Sequence, residues 1–148
     1  EKAFALGIME RALAGVDQHQ HRQTLTDLPP QKNRRLLPQI EKAFNYRATR
    51  IERYLVARYD AETGGFFRPH RDNTTKGTAH RRIAASVNLN ADFDGGEVSF
   101  PEYGPRGFKP PPGGAVVFSC SLLHSVAKVT RGRRYAFLPF MYDDEAAK

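Results

Sequence analysis

The hydrophobic positions of this chain change period as it runs. Over residues 1–14, Phe4, Ile8 and Ala12 fall on one helical face, with Leu6, Met9 and Leu13 beside it, and Gly15 is a plausible stop. Residues 16–35 are polar, with Gln18-His19-Gln20-His21 and Pro29-Pro30, and read as a mobile loop. A short helix over 38–46, with Pro38 near its start, would bury Ile40 and Phe44. From Arg50 the period becomes two: Ile51, Arg53, Leu55, Ala57 and Tyr59 alternate with Glu52, Tyr54, Val56 and Arg58, a strand pattern. Gly64-Gly65 breaks the chain before Phe66-Phe67 and the stretch Arg68-Pro69-His70-Arg71-Asp72-Asn73, and 73–77 reads as a turn. Over 82–90 the alternation is cleanest. Ile83, Ala85, Val87 and Leu89 make an apolar face, and Ala84, Ser86, Asn88 and Asn90 a small, polar one. Bulk water would favour long charged groups, so the small polar face is expected to line a cavity. Further on come a hairpin-like turn at Asp94-Gly95-Gly96, a short strand over 97–100, a Pro/Gly-rich loop over 101–112 and a buried strand over 114–119. A turn at 121–124 precedes a last strand over 133–142, with Arg134, Ala136, Leu138 and Phe140 on one face, and then a polar tail over 143–148.

Two helical segments followed by at least six strands predict a mainly β protein, an all-β barrel or sandwich buttressed by N-terminal helices. The expected division is 1–49 as helical support and mobile loop and 50–148 as the β core, one domain overall. With 148 residues, 40% of them hydrophobic, the chain is long enough for one real core. It lacks an initiator Met, and we expect it to be a piece of a longer protein. No apolar run approaches the roughly 20 residues of a spanning helix, so no membrane partner is expected. A single cysteine, Cys120, excludes an internal disulfide framework and any multi-cysteine metal site, which fits a reducing cytoplasm. The net charge of +7 is spread without a compact Lys/Arg run, and a well-solvated basic surface explains it better than a nucleic-acid partner.

Chemistry concentrates at His70 and Asp72. In an extended strand, alternate side chains share a face, so this spacing aims an imidazole and a carboxylate at one point. Fe(II) takes two nitrogens and one oxygen in a facial triad that leaves open positions, and His124 is the candidate for the second nitrogen. Zn(II) uses the same ligand types in hydrolases. Arg134, on the inward face of the last strand, is a permanent charge able to hold a carboxylate through two hydrogen bonds. A metal with open positions plus a buried Arg points to a dicarboxylate co-substrate, one end on the metal and the other on Arg134. Arg133 would take that role if the strand slipped by one, but alternation with Ala136 and Leu138 favours Arg134. Cys120 reads as a packed small hydrophobe beside the site, not a nucleophile. His19, His21 and His80 read as surface residues.

The ordered set extends well beyond these four. Arg58-Tyr59 precedes a Gly turn and Pro69-His70-Arg71-Asp72-Asn73. Leu89-Asn90 is followed by Gly95-Gly96-Glu97 and Phe100-Pro101. Pro112-Gly113-Gly114-Ala115-Val116-Val117-Phe118 leads to His124-Ser125-Val126, then to Val129-Thr130-Arg131-Gly132-Arg133-Arg134-Tyr135-Ala136. Over 51–142 this resembles the Fe(II)/2-oxoglutarate dioxygenases, and within them the bacterial prolyl-4-hydroxylase-like family. The resemblance implies a double-stranded β-helix (jelly-roll, cupin-like) barrel with His70, Asp72 and His124 on Fe(2+) and Arg134 on the distal carboxylate of 2-oxoglutarate. It also implies Tyr59 in the co-substrate pocket, O2 as the other co-substrate, and ascorbate as a possible accessory. Relatives often carry a Tyr just before the Leu-Asn pair, where it helps hold that carboxylate. This chain has Asn88, which could donate a shorter hydrogen bond, or the task passes to Tyr59 or Ser86. Arg134 stands where collagen-type prolyl hydroxylases have Lys, so a collagen-type substrate is not supported. The implied reaction is hydroxylation of a substrate C–H bond with release of succinate and CO2. A protein or peptidyl, prolyl-type side chain is the first expectation and a small metabolite or amino acid the alternative. A nucleic-acid demethylase ranks low, because Phe140 stands where such relatives carry a second Arg. A non-catalytic binding module also ranks low, because no ligand has been lost.

Overall fold

The structure, a computed structural model, describes residues 23–24, 30–52 and 55–148. The helix expected over 1–14, His19, His21, and Arg53 and Tyr54 of the first strand pattern lie outside the described residues. The first described elements are β1 (Gln23–Thr24) and α1 (Pro30–Phe44). The helix thus begins within the stretch read as loop, and Pro38 lies inside it rather than near its start. Proline there removes only one N–H, the one that would have bonded a carbonyl a turn earlier. The helix persists on its packing: Leu36, Leu37, Ile40 and Phe44, at helical spacing, all face the core. Asn45, at φ +47°, ends it in the left-handed conformation that Asn tolerates.

The long period-two pattern from Arg50 divides into β2 (Arg50–Ile51) and β3 (Val56–Asp60). They continue with β4 (Phe67–His70), β5 (Ile83–Asn88), β6 (Phe93–Gly95), β7 (Val98–Ser99), a short 3-10 turn (Pro101–Tyr103), β8 (Gly107–Phe108), β9 (Ala115–Ser119), β10 (His124–Val126), β11 (Val129–Phe137) and β12 (Phe140–Tyr142). The expected single last strand is two. Pro139 cannot donate to a ladder. The chain breaks at Leu138-Pro139, with β11 on β3 and β5 and β12 on β2 and β5.

The strands form two antiparallel sheets. The eight-stranded one runs β1-β2-β12-β5-β11-β3, with β6 on β11 and β9 on β5; the four-stranded one runs β4-β10-β7-β8. Strands β6 and β7 therefore belong to different sheets, and Asp94-Gly95-Gly96 is a crossing between sheets rather than a hairpin. Both glycines have positive φ, and a Cβ on Gly95 would sit 2.1 Å from the Lys128 carbonyl oxygen. This is a jelly-roll (double-stranded β-helix) arrangement of two facing sheets.

Strand β5 is buried along both faces and separates two cores. Ile83, Ala85 and Val87 face one core with Ile40 of α1, Ile51 and Met141. Ala84 faces the other, between the sheets, with Tyr59, Phe118, Ala136 and Phe140 of the large sheet and Val98 and Val126 of the small one. The two polar members of this inner face, Ser86 and Asn88, thus point into the space between sheets that the site occupies. Among the described residues, no helix is long and apolar enough to cross a membrane.

Candidate metal centre and anion pocket

His70 is the last residue of β4 and His124 the first of β10, and the two are direct partners across the strand pair. Direct partners in an antiparallel pair have neighbouring side chains, and here the imidazole centroids lie 4.3 Å apart. Asp72 follows β4, and its N–H donates to the Cys120 carbonyl at 3.0 Å, which anchors the turn. One carboxylate oxygen of Asp72 lies 3.4 Å from His70 Nε2 and the other 3.5 Å from His124 Nε2. One ligand atom from each of the three residues falls within 4.8 Å of the others.

The tautomers follow from the second nitrogens. His70 Nδ1 is 2.7 Å from the Arg68 carbonyl and His124 Nδ1 is 3.1 Å from the Leu122 carbonyl. A carbonyl oxygen only accepts, so in the neutral rings both Nδ1 atoms carry the proton and both Nε2 lone pairs face Asp72. Backbone orientation of this kind is common around metal-binding imidazoles. Burial lowers the pKa of His124, assisted by the His70 ring and opposed by its bond to Leu122 and by Asp72. The neutral, ligating form is thereby favoured.

Arg134 lies on β11, opposite Tyr59 of β3. It is only 1% exposed. Its Nε donates to Asn88 Oδ1 at 2.9 Å and its Nη2 to Ser86 Oγ at 2.7 Å. Its Nη1 is buried with no partner. Among the described residues no carboxylate lies within ion-pair distance of it. Burial pulls its pKa down, opposed by nearby Tyr59 and, least, by the more distant charge of Glu97, yet a guanidinium keeps its charge under such pressure. A buried cation without a counter-ion is costly unless something supplies the anion. The donor set therefore fits a carboxylate group.

Tyr59 connects the two halves. The Arg134 guanidinium carbon is 5.0 Å from its ring centroid. Burial raises the Tyr59 pKa, Arg134 opposes that rise and Asp72 adds to it. The Phe67 ring bridges on the outside, 6.3 Å from Tyr59 and 4.9 Å from His70. The neighbouring Arg133 is held elsewhere: its Nε donates to the buried Asp60 at 2.7 Å. Cys120 is fully buried in the inner core, and burial first, then Asp72, pushes its thiol up to about 12.

Three features were not anticipated from the sequence. A Cβ on Gly96, at φ +72°, would lie 2.9 Å from Arg134 Cδ, so the absent side chain makes room for the Arg134 stem. Arg81 forms a bidentate pair with Glu52 at 2.6 and 2.7 Å, and its Nη1 reaches the Asp72 carbonyl at 3.4 Å. His80, read as a surface residue, instead has its side chain largely covered, with Nε2 3.1 Å from Glu52 and its ring edge-on to Tyr142. Local patterns do not carry such contacts, because each joins segments far apart in the chain.

Comparison with known proteins agrees with this architecture. Residues 54–142 match the 2OG-Fe(II) oxygenase superfamily. A PKHD-type hydroxylase from Cupriavidus metallidurans is 40% identical over 85 residues, covering 51% of this chain and 37% of that protein. The chain thus matches well under half the length of this curated relative. A Pseudomonas putida prolyl-4-hydroxylase superposes with a TM-score of 0.66 at 22% identity, covering 97% of this chain and 78% of that one. A Trichoplax adhaerens prolyl hydroxylase, in complex with a hypoxia inducible factor peptide fragment, superposes with a TM-score of 0.56 at 22% identity over 69% of this chain and 48% of that one. With two facing sheets, a His-Asp-His cluster and a family match over most of the β core, the chain belongs to the 2OG-Fe(II) oxygenase superfamily.

Proposed function

We propose that this chain is the catalytic core of an Fe(II)- and 2-oxoglutarate-dependent hydroxylase. In this reading His70, Asp72 and His124 are the metal ligands, Arg134 takes the distal carboxylate of 2-oxoglutarate, and Tyr59 lends a second donor. The observation that carries it is the combination of a three-ligand cluster with a buried guanidinium that lacks an anion. When bound, iron and 2-oxoglutarate supply the redox chemistry: O2 is reduced, 2-oxoglutarate loses CO2 to become succinate, and one oxygen atom enters a substrate C–H bond. The chain's own contribution is positional. Arg68 and Leu122 hold the imidazoles by their carbonyls, and Asp72 spans both rings. Arg134 fixes the far end of the co-substrate, and the inner core keeps water from it.

For the substrate, a protein or peptidyl side chain of the prolyl type is the reading we favour. It is supported by the 50% exposed Phe67 beside His70 and the neighbouring 51% exposed Phe66, an open apolar edge suited to a chain rather than a small polar molecule. Prolyl hydroxylases of the same fold, one of them with a bound peptide, point the same way.

Anaerobic titration of the protein with Fe(II) and then 2-oxoglutarate tests the site. A visible charge-transfer band should appear in the wild type and be absent in His124→Ala; a wild type without the band overturns the iron reading. Succinate release driven by peptides, but not by free amino acids, tests the substrate class.

A further inference from the structure

Asn88 stands beside Arg134 with both ends of its side-chain amide engaged by the protein. Its Oδ1 accepts from Arg134 Nε at 2.9 Å and its Nδ2 donates to the Pro110 carbonyl at 2.7 Å. A guanidinium only donates and a carbonyl only accepts, so the network fixes which way round the amide lies. Its backbone is tied to the same segment: Asn88 N–H donates to Gly114 O at 3.1 Å, and Gly113 N–H to Asn88 O at 2.7 Å. Asn88 is 2% exposed, and water does not compete for these bonds.

Ser86 completes the arrangement. Two residues earlier on β5 and on the same face, its Oγ takes Arg134 Nη2 at 2.7 Å. A guanidinium has five N–H groups in one plane. With Nε and one N–H of Nη2 held by β5, the unpartnered Nη1 and the second N–H of Nη2 remain, and a carboxylate approaching end-on meets one N–H from each nitrogen.

We propose that Asn88, with Ser86, is a positioning residue: it locks Arg134 so that only the tip of its guanidinium is offered to the co-substrate, and it ties that geometry to the Pro110–Gly114 segment. The inference rests on the co-substrate reading above. On this view, Asn88 acts through Arg134 and does not itself grip 2-oxoglutarate. Specificity for a five-carbon 2-oxo diacid comes from an Arg that cannot swing towards shorter or longer ligands.

The test is calorimetric binding under anaerobic conditions to the metal-loaded protein. One ligand is 2-oxoglutarate, the other 2-oxobutyrate, which presents the same metal-chelating end but no distal carboxylate. Asn88→Leu should weaken 2-oxoglutarate about 10- to 100-fold, the worth of a hydrogen bond that orients a charged group, with 2-oxobutyrate and metal binding unchanged. Ser86→Ala should show the same selectivity to a smaller degree. Asn88→Asp keeps the acceptor for Nε but supplies the missing anion, and should weaken 2-oxoglutarate more than Asn88→Leu does. If 2-oxoglutarate binds Asn88→Leu and Ser86→Ala as it binds wild type, the positioning role is wrong while the site reading stands. If Asn88→Asp binds 2-oxoglutarate as tightly as wild type, Asn88 does not act through the charge of Arg134. If wild type itself does not prefer 2-oxoglutarate to 2-oxobutyrate, the co-substrate reading fails first.

Discussion

Arg134 and Asn88, 46 residues apart in the chain, meet between the sheets through a 2.9 Å hydrogen bond from Nε to Oδ1. The bond leaves Nη1 buried and unpaired. Removing the guanidinium should therefore separate two functions that share the site. In Arg134→Ala, Fe(II) should bind as in wild type, because none of His70, Asp72 or His124 is touched. The affinity for 2-oxoglutarate should fall about 100-fold or more, the worth of a desolvated charge pair. Calorimetry with each ligand in turn measures both, and unchanged 2-oxoglutarate affinity would remove Arg134 from the pocket.

Gly96 is the counterpart of that Arg in space. At φ +72°, with a Cβ position 2.9 Å from Arg134 Cδ, Gly96→Ala should strain the backbone and displace the Arg134 stem together. The expected result is a stability loss of about 1–3 kcal/mol, with weakened 2-oxoglutarate binding and retained metal binding. Urea unfolding alongside calorimetry checks it. A variant as stable as wild type would mean that the crossing relaxes freely.

The Glu52–Arg81 pair should matter for stability more than surface pairs do. Both side chains are largely covered, His80 also reaches Glu52, and Arg81 lies 3.9 Å over the Phe140 ring. Arg81→Met should leave Glu52 buried without its strongest partner and lower stability by about 3 kcal/mol, since breaking a buried pair exposes the desolvation cost of the survivor. Chemical denaturation is the measurement. For comparison, removing the exposed Arg131–Asp94 pair should leave the denaturation midpoint nearly unchanged.

Asp60 gives the fold an acid-sensitive clasp. Arg58 above all, then Arg133 and the Glu62 N–H, hold its carboxyl down from an ordinary 3.8 to about 2. A depressed folded-state pKa contributes stability that is complete above the unfolded-state value and is lost as pH falls through the folded one. The contribution should thus be whole above about pH 5 and disappear between pH 4 and 2. Asp60→Asn should flatten the thermal-stability profile over that window and leave the shape near neutrality unchanged; a profile as steep as wild type would contradict the assignment.

Cys120 should be chemically silent in the folded protein. It is 0% exposed among Ala84, Phe118 and Phe140. Its alkylation by a thiol reagent should therefore occur at the rate of opening and rise sharply in denaturant. Fast labelling of native protein would show that the inner core opens readily.

How much was legible beforehand depends on the range of each interaction. The sequence by itself determined the period-two segments, the mainly β fold class and the ordered motif stretches. It also determined that His70 and Asp72 lie one residue apart near a strand end, and that Ser86 and Asn88 share the small polar face of β5. All of these follow from side-chain alternation or composition, which act over a few residues. The tertiary structure alone decided where strands stop and what faces what. Pro139 divides the last strand, and α1 starts at Pro30 because tertiary packing carries the helix through Pro38. Strand pairing sets His124 against His70, sends Arg133 outward to Asp60, and turns Arg134 inward to Ser86 and Asn88. Periodicity names the two faces of a strand, but only the register with its neighbours says which face meets the site. That register is fixed by contacts between residues dozens of positions apart.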